Sequence, residues 1–218
     1  MDHIRDEMDL LKNFMVLVSR EFGEKCEVVL HSYEDGYNKT IIAIENGQVS
    51  GRKVGDCGGV LGLEVLKGTS DGSNQFNYVT TTKNGKILRS STGYLYNDKH
   101  EPIGAMCINY DITDALNVKD FDPATLSGIE ANETLVNSVT ELLDQLLEEC
   151  QKYVGKPAEE MKKEDKMKAL RFLDEKGAFL ITKSGTRICK FLNISKFTLY
   201  NYLDELRGDR QAKSEAAL

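Results

Sequence analysis

A basic segment near the C-terminus holds the side chains best suited to binding an anion. Residues 177–203 contain four basic side chains and no Asp or Glu, although the 218-residue chain has a net charge of −7. The four are Lys183, Arg187, Lys190 and Lys196. Residues 156–218 carry 14 Lys and Arg against 10 Asp and Glu, a charge of +4, so the first 155 residues carry −11. A basic module on an acidic body indicates an anionic partner at one end of the chain.

The same segment has the pattern of a helix-turn-helix. Such a unit needs a small residue where its helices cross, a turn residue that tolerates left-handed geometry, and apolar side chains between the helices. Cys189 takes the small position, Asn193 follows at the turn, and Ser195 can cap the second helix by accepting a hydrogen bond from a free amide. The apolar contacts are predicted from Ile188, Leu192, Ile194, Leu199 and Tyr202.

This placement predicts two sets of contacts with duplex DNA. The N-terminal half of the second helix would enter the major groove, and the first helix would lie near the phosphates. The groove set is Ser195, Lys196, Phe197, Thr198, Tyr200 and Asn201, and the phosphate set is Lys183, Ser184, Thr186 and Arg187. The alternative is an ordinary helical hairpin with a solvated basic face. A separate alternative is that Phe197 and Tyr200 are core aromatics. Because one such unit reads few base pairs, a homodimer or higher homo-oligomer on a two-fold operator is expected.

The elements that position this module begin with an N-terminal region of mixed α+β pattern. Apolar residues recur at helical spacing over residues 4–22, and Gly23 ends the predicted helix. Strands are predicted at residues 27–31, 40–44, 76–82, 87–96 and 102–111, with a helical segment at 58–66. Turn sequences at Asn84-Gly85 and at residues 97–100 make the last three strands an antiparallel meander. The pattern predicts a small α+β sensor fold.

A long helix is predicted to join the two regions. From residue 122 to about Val154 apolar residues recur at intervals of three, four and seven, including Leu135, Leu142 and Leu146. This helix either packs on its own domain or forms a dimerising, signal-transmitting connection. A separate helix around residues 167–173, before the helix-turn-helix, would complete an all-α core under it. The predicted domains are a sensor at 1–121, a linker helix at 122–155 and a DNA-binding domain at 156–218.

Several other classes of protein have no support in the sequence. The five cysteines are scattered without a CxxC pair, which disfavours a disulfide framework or a zinc ribbon. The three histidines are far apart, no phosphate-binding loop motif occurs, and Ser90-Ser91 lacks nucleophile-elbow glycines. We therefore expect neither an enzyme, nor a metal site, nor a cofactor. No apolar run is long enough for a membrane span, so a cytoplasmic location is expected.

Four segments of the N-terminal region resemble one known family. They are residues 27–31 (EVVLH), 46–55 (NGQVSGRKVG), 88–92 (LRSST) and 104–111 (GAMCINYD). In this order, with the C-terminal helix-turn-helix, the chain resembles the YheO-like PAS regulators, also called DauR-type. The resemblance implies a PAS-like sensor domain and a transcriptional regulator, expected to be a repressor; one branch represses D-arginine utilisation genes. Ser32 and Tyr33 depart from the family, in which an Asp is expected after the early histidine.

A PAS-like fold implies a site for a small ligand or a partner between the sheet and its helices. The candidate ligand-binding residues are His31, Arg52, Ser90, Ser91, Cys107 and Asn109. Structural roles compete for each of them: for example, Arg52 could pair with a local carboxylate, and Cys107 could be a small buried hydrophobe. The expected effector is an amino acid or a similar small molecule. The alternative function is a PAS-like oligomerisation or protein-interaction module whose basic end binds RNA or an acidic protein.

Overall fold

The computed structural model describes residues 2–115 and 133–215. The chain forms two compact units, Met1–Leu142 and Leu143–Leu218. The first unit is built on a sheet and the second is helical.

The sheet of the first unit has six described strands. These are β1 (Cys26–Ser32), β2 (Ile41–Glu45), β3 (Gln75–Thr81), β4 (Ile87–Tyr96), β5 (Pro102–Asp111) and β6 (Glu133–Thr134). Their order is β2-β1-β5-β4-β3-β6, and every pair is antiparallel except β3 with β6. β1 is buried along its whole length because strands cover both of its edges and side chains cover both of its faces. The five predicted strands are confirmed, and the α+β fold class with them.

One face of this sheet carries the hydrophobic core under the first helix. Helix α1 (Met8–Phe22) packs its inner side chains on alternate residues of β1 and β5. The fully enclosed residues are Ile4, Met15, Cys26, Val28 and Leu30, with Ala43 and Ile103 at the margin. Because side chains alternate across a strand, the intervening residues Glu27, Val29 and His31 lie on the opposite face. On the chain after β2, helix α2 (Val60–Lys67) ends at Gly68, whose left-handed φ of 72° closes the helix.

The predicted long helix begins later than the sequence suggested. Its first part, residues 122–132, lies outside the described residues, and Glu133–Thr134 forms the short strand β6 rather than helix. The amide of Leu135 donates to the carbonyl of Thr81 at 2.8 Å, and the Leu135 side chain packs with Val49 and Leu88. Leu135 therefore matched the helical spacing while belonging to a sheet edge. Helix α3 (Val139–Val154) starts after Ser138, whose hydroxyl accepts a hydrogen bond from the amide of Glu141 at 3.3 Å.

The second unit surrounds the predicted helix-turn-helix with a helical core. Helices α4 (Lys163–Glu175), α5 (Ser184–Leu192) and α6 (Lys196–Glu215) follow α3. Leu170 and Leu173 of α4 are fully buried, as are Ile188 and Leu192 of α5 and Leu199 of α6. The predicted supporting helix is thus confirmed and is longer than residues 167–173. Among the described helices, none is long and apolar enough to cross a membrane.

Candidate functional site

The turn between α5 and α6 has the geometry that the sequence predicted. Asn193 ends α5 in the left-handed region, with φ 48° and ψ 56°. The amide of Ile194 donates to the Cys189 carbonyl at 3.0 Å and closes the turn. The Ser195 hydroxyl accepts a hydrogen bond from the Thr198 amide at 3.0 Å and lies 2.8 Å from the Thr198 hydroxyl. Ser195 therefore caps α6, and both local predictions are confirmed.

The first turns of α6 present an exposed polar and aromatic face. Phe197 is 76% exposed and Tyr200 is 62% exposed, so neither belongs to the core. Lys196 and Asn201 are also exposed, and Thr198 is half-buried beside the cap. This face combines a cation, an amide and two aromatic rings at the end of the helix where a recognition helix meets base edges.

The predicted phosphate-contacting residues at α5 differ in their exposure to solvent. Lys183, Thr186 and Arg187 are exposed, and Lys183 takes the left-handed conformation with φ 65° before the helix begins. Ser184 is buried, so its hydroxyl is not offered to a ligand on this surface. The Arg187 guanidinium is paired with the Asp144 carboxylate of α3. The exposed cations of this face are accompanied by no acidic residue between 177 and 203.

A second candidate site is a cavity on the sheet face opposite α1. Its empty volume is about 410 Å³ including the open mouth, of which about 40 Å³ admits the centre of a water molecule. Four of the six predicted ligand residues line it, namely His31, Arg52, Cys107 and Asn109. Ser90 lies behind the wall, where its hydroxyl donates to Asn109 Oδ1 at 2.8 Å. Ser91 is on the other face of β4 and accepts a hydrogen bond from the Asn77 amide at 3.0 Å, so the structure does not bring it to the cavity.

Arg52, on the cavity wall, forms a buried ion pair with Glu27 behind it. Arg52 Nη2 donates to Glu27 Oε1 at 2.9 Å, and the two side chains are 4% and 0% exposed. Asn109 Nδ2 donates to the same oxygen at 2.8 Å. The other Glu27 oxygen accepts hydrogen bonds from the amide and hydroxyl of Ser50. Sequence reasoning missed Glu27, although an acidic residue next to the apolar run Val28–Leu30 was a usable signal.

His31 adds a neutral imidazole to this wall. Its Nδ1 lies 2.8 Å from the hydroxyl of Thr40, and the residue is buried. Burial, together with the nearby Arg52 charge, lowers the pKa of His31 from its ordinary value near 6.5 to about 3. The imidazole is therefore uncharged at neutral pH and can either donate or accept a hydrogen bond.

Tyrosines and glycines complete the cavity, and the sequence reading did not select them. Tyr33, Tyr37, Tyr78 and Tyr94 line it together with Gly58, Gly59 and Gly62. The Tyr37 hydroxyl donates to the Gly59 carbonyl at 2.5 Å. A Cβ at Gly62 would overlap that hydroxyl, so α2 needs glycine there to approach the ring. The glycine-rich sequence before and within α2 could have indicated that this segment packs closely against other residues of the site.

Comparisons with known proteins match the two regions of the chain to two domain families. Residues 2–126 match a family model described as a YheO-like PAS domain, and residues 142–204 match one described as an HTH domain. The uncharacterized protein YheO of Escherichia coli (strain K12) is 30% identical over 217 residues, covering 96% of this chain and 90% of that protein. An uncharacterized protein of Haemophilus influenzae (strain ATCC 51907 / DSM 11121 / KW20 / Rd) is 29% identical over 198 residues, covering 89% of this chain and 88% of that protein.

Proposed function

The chain belongs to the YheO-like PAS family, and from that premise we propose that it is a dimeric transcriptional repressor controlled by a small molecule. Its PAS-like and helix-turn-helix domains are those of a DNA-binding regulator. The proposed division of labour assigns sensing to the sheet unit, Met1–Leu142, and DNA binding to the helical unit, Leu143–Leu218.

The observation that carries the proposal is the capped, exposed start of α6. Phe197 and Tyr200 are exposed to solvent, which leaves both rings available to contact DNA. Lys196 is beside them, and α5 adds Lys183, Thr186 and Arg187. We assign base contacts to Lys196, Phe197, Thr198, Tyr200 and Asn201. Phosphate contacts are assigned to the exposed residues of α5, without the buried Ser184.

The cavity is the proposed effector site. Support comes from polar side chains that are buried yet border an open space, which is the usual construction of a small-molecule site. A ligand there can change DNA affinity only if it binds two arrangements of the dimer with different affinity. Effector binding to the first unit is therefore expected to alter the affinity of the second for its operator.

An exposed apolar stripe on α1 supports a dimer. Leu10 is 65% exposed, Phe14 is 49% exposed and Leu17 is 66% exposed, and their spacing of four and three residues places them on one side of the helix. This side is separate from the face that packs on the sheet through Leu11, Met15 and Val18. A row of large apolar side chains left in solvent is typical of an interaction surface, here proposed to contact a second copy of the chain.

Selection from a random DNA pool tests the proposal directly. The full-length protein is incubated with random duplexes at moderate salt, and bound sequences are amplified and read over several rounds. A two-fold symmetric motif is expected, because two recognition helices related by a dimer axis read inverted half-sites. Enrichment of no sequence would contradict the proposal. In that case binding to RNA or an acidic protein through the basic end becomes the better account.

A further inference from the structure

Arg52 is a buried guanidinium whose donors are only partly used. It is 5% exposed and lines the cavity, and its Nε and one Nη2 hydrogen donate to Ser50 Oγ and Glu27 Oε1. A guanidinium has five N–H donors, so three of them have no protein acceptor among the described residues. Because Arg52 lines the cavity, its remaining donors border a space that another molecule can enter. The geometry indicates a ligand that brings an oxygen acceptor to Arg52.

The charge of this ligand follows from what already surrounds Arg52. Glu27 neutralises the guanidinium at 2.9 Å and is itself completely buried. Among the described residues that line the cavity, Arg52 is the one with a permanent charge. His31 adds none, because burial holds its pKa at about 3. A free carboxylate would therefore place a second anion close to Glu27 without a second cation, which burial in a low dielectric penalises.

We propose that the cavity binds a small uncharged molecule with a carbonyl or amide oxygen, which accepts hydrogen bonds from the Arg52 guanidinium. This inference rests on the proposed sensor role of the cavity and specifies the ligand class of that role. The uncharged oxygen satisfies Arg52 donors and leaves the Glu27–Arg52 pair intact. The His31 imidazole, on the same wall, supplies a neutral hydrogen-bonding partner for the rest of the ligand.

The size of the cavity limits the group that enters it. About 40 Å³ admits the centre of a water molecule, enough for about three waters and hence for a group of a few non-hydrogen atoms. Acetamide and acetate are matched probes for this space. They have the same number of non-hydrogen atoms and nearly the same shape, but only acetate is charged at neutral pH.

The test is a pair of titrations of the ¹⁵N-labelled full-length protein followed in ¹H–¹⁵N spectra. Acetamide is expected to shift the Arg52 Hε resonance and the amide resonances of Cys107 and Asn109 saturably. Acetate, added at constant ionic strength, is expected to bind those sites at least about tenfold more weakly. Equal or tighter binding of acetate would overturn the inference, and so would the absence of saturable shifts with either probe.

Two variants test the location. Cys107→Leu fills the cavity without touching the Glu27–Arg52 pair and is expected to abolish the acetamide shifts, whereas Ser91→Ala, on the other face of β4, should leave them unchanged. Saturable shifts that persist in a folded Cys107→Leu protein would overturn the assignment. If that variant does not fold, Arg52→Lys, which retains the cation but loses the planar fork, must show the same loss. The result of these titrations does not depend on the DNA selection experiment. A preference for acetate would contradict this inference without contradicting the proposal that the protein is a DNA-binding regulator.

Discussion

At the scale of single residues, the Glu27–Arg52 pair shows how a charged group is accommodated within the sheet domain. Burying an ion costs several kcal/mol unless hydrogen bonds replace its water. The Glu27 carboxylate accepts four, from the amide and hydroxyl of Ser50, from Arg52 and from Asn109. Because Ser50 and Arg52 follow β2 whereas Asn109 is on β5, this one carboxylate fixes a loop to the sheet and shapes the cavity wall.

His31 gives a prediction for the pH dependence of stability. Its pKa is about 3 in the folded protein and near 6.5 when unfolded, so the folded state favours the neutral imidazole. That contribution is fully present above pH 6.5 and is lost as pH falls from 6.5 towards 3. We expect the free energy of unfolding to lose about 1.4 kcal/mol per pH unit from this residue below pH 6. Urea titrations of wild type and His31→Gln from pH 7.5 to 5 measure it.

The free energy of unfolding of His31→Gln should depend less steeply on pH than that of the wild type, whatever the stability of the variant at pH 7.5. His100→Asn is the matched control, because His100 is exposed and has a positive φ that asparagine tolerates. That control should retain the wild-type slope. Equal slopes for wild type and His31→Gln would mean that His31 is not held neutral by the fold.

At the scale of secondary-structure elements, the link between α5 and α6 is specified locally. The left-handed turn at Asn193 and the Ser195 cap involve residues only a few positions apart in the chain. These contacts set the direction in which α6 leaves the turn, while the buried Leu199 holds its inner side. The exposed residues Lys196, Phe197 and Tyr200 are thereby presented on one rigid element.

The charged and the uncharged residues of α5 and α6 should contribute differently to DNA binding. Replacing Lys196 or Arg187 with glutamine is expected to weaken binding to all duplexes and to reduce the slope of log K against log salt by about 1, because each change removes one positive charge from the DNA-binding surface. Asn201→Ala should instead change the preference among related sites with little change in slope. Fluorescence anisotropy with the selected operator and a scrambled duplex, at several salt concentrations, measures both quantities.

Two further variants make this experiment more specific. Asp144→Asn removes the carboxylate that pairs with Arg187 and should strengthen binding, since it removes a negative charge next to a cation of the DNA-binding surface. Lys12→Gln, an exposed change on α1, should leave both affinity and slope as in wild type. If Lys196→Gln and Arg187→Gln also behave as wild type, the assignment of these helices to the DNA surface is wrong.

At the scale of the whole molecule, the sensor unit and the DNA-binding unit each have a core of their own. The first unit is held by the sheet with α1, and the second by buried leucines of α4, α5 and α6. The α1 stripe is made of apolar residues, and none of them lines the cavity or belongs to α6. In the proposed dimer it would provide subunit contacts, leaving the cavity for the effector and α6 for the operator.

Disruption of the α1 stripe should therefore change oligomeric state rather than folding. Leu17 is 66% exposed, so Leu17→Glu is expected to keep the melting temperature of the isolated subunit but to shift the protein from dimer to monomer. Affinity for a two-fold operator should fall at least about tenfold, because only one half-site is then held. Sedimentation velocity and operator titration measure these effects. Asn13→Glu makes the same change of charge at an exposed polar position of α1 and should remain dimeric.

The sequence alone determined those features that depend on neighbouring residues. Short apolar runs bounded by turn sequences predicted the five antiparallel strands to within about two residues, because β-branched residues favour strands and turn residues end them. The segment around Asn193 and Ser195 predicted the turn and cap for a similar reason, since both are interactions over three to five residues. The clustering of cations between 177 and 203 was likewise evident from the sequence alone.

Only the tertiary structure decided which distant residues meet. Glu27 is separated by 82 positions from Asn109, and nothing local distinguishes the cavity-lining side of β4 from the face that carries Ser91. Leu135 fitted a helical spacing but joined the sheet, because pairing with Thr81 offered its backbone a partner. Contacts of this kind depend on strand order and register, which are set by the burial of the whole core rather than by the preferences of any one segment.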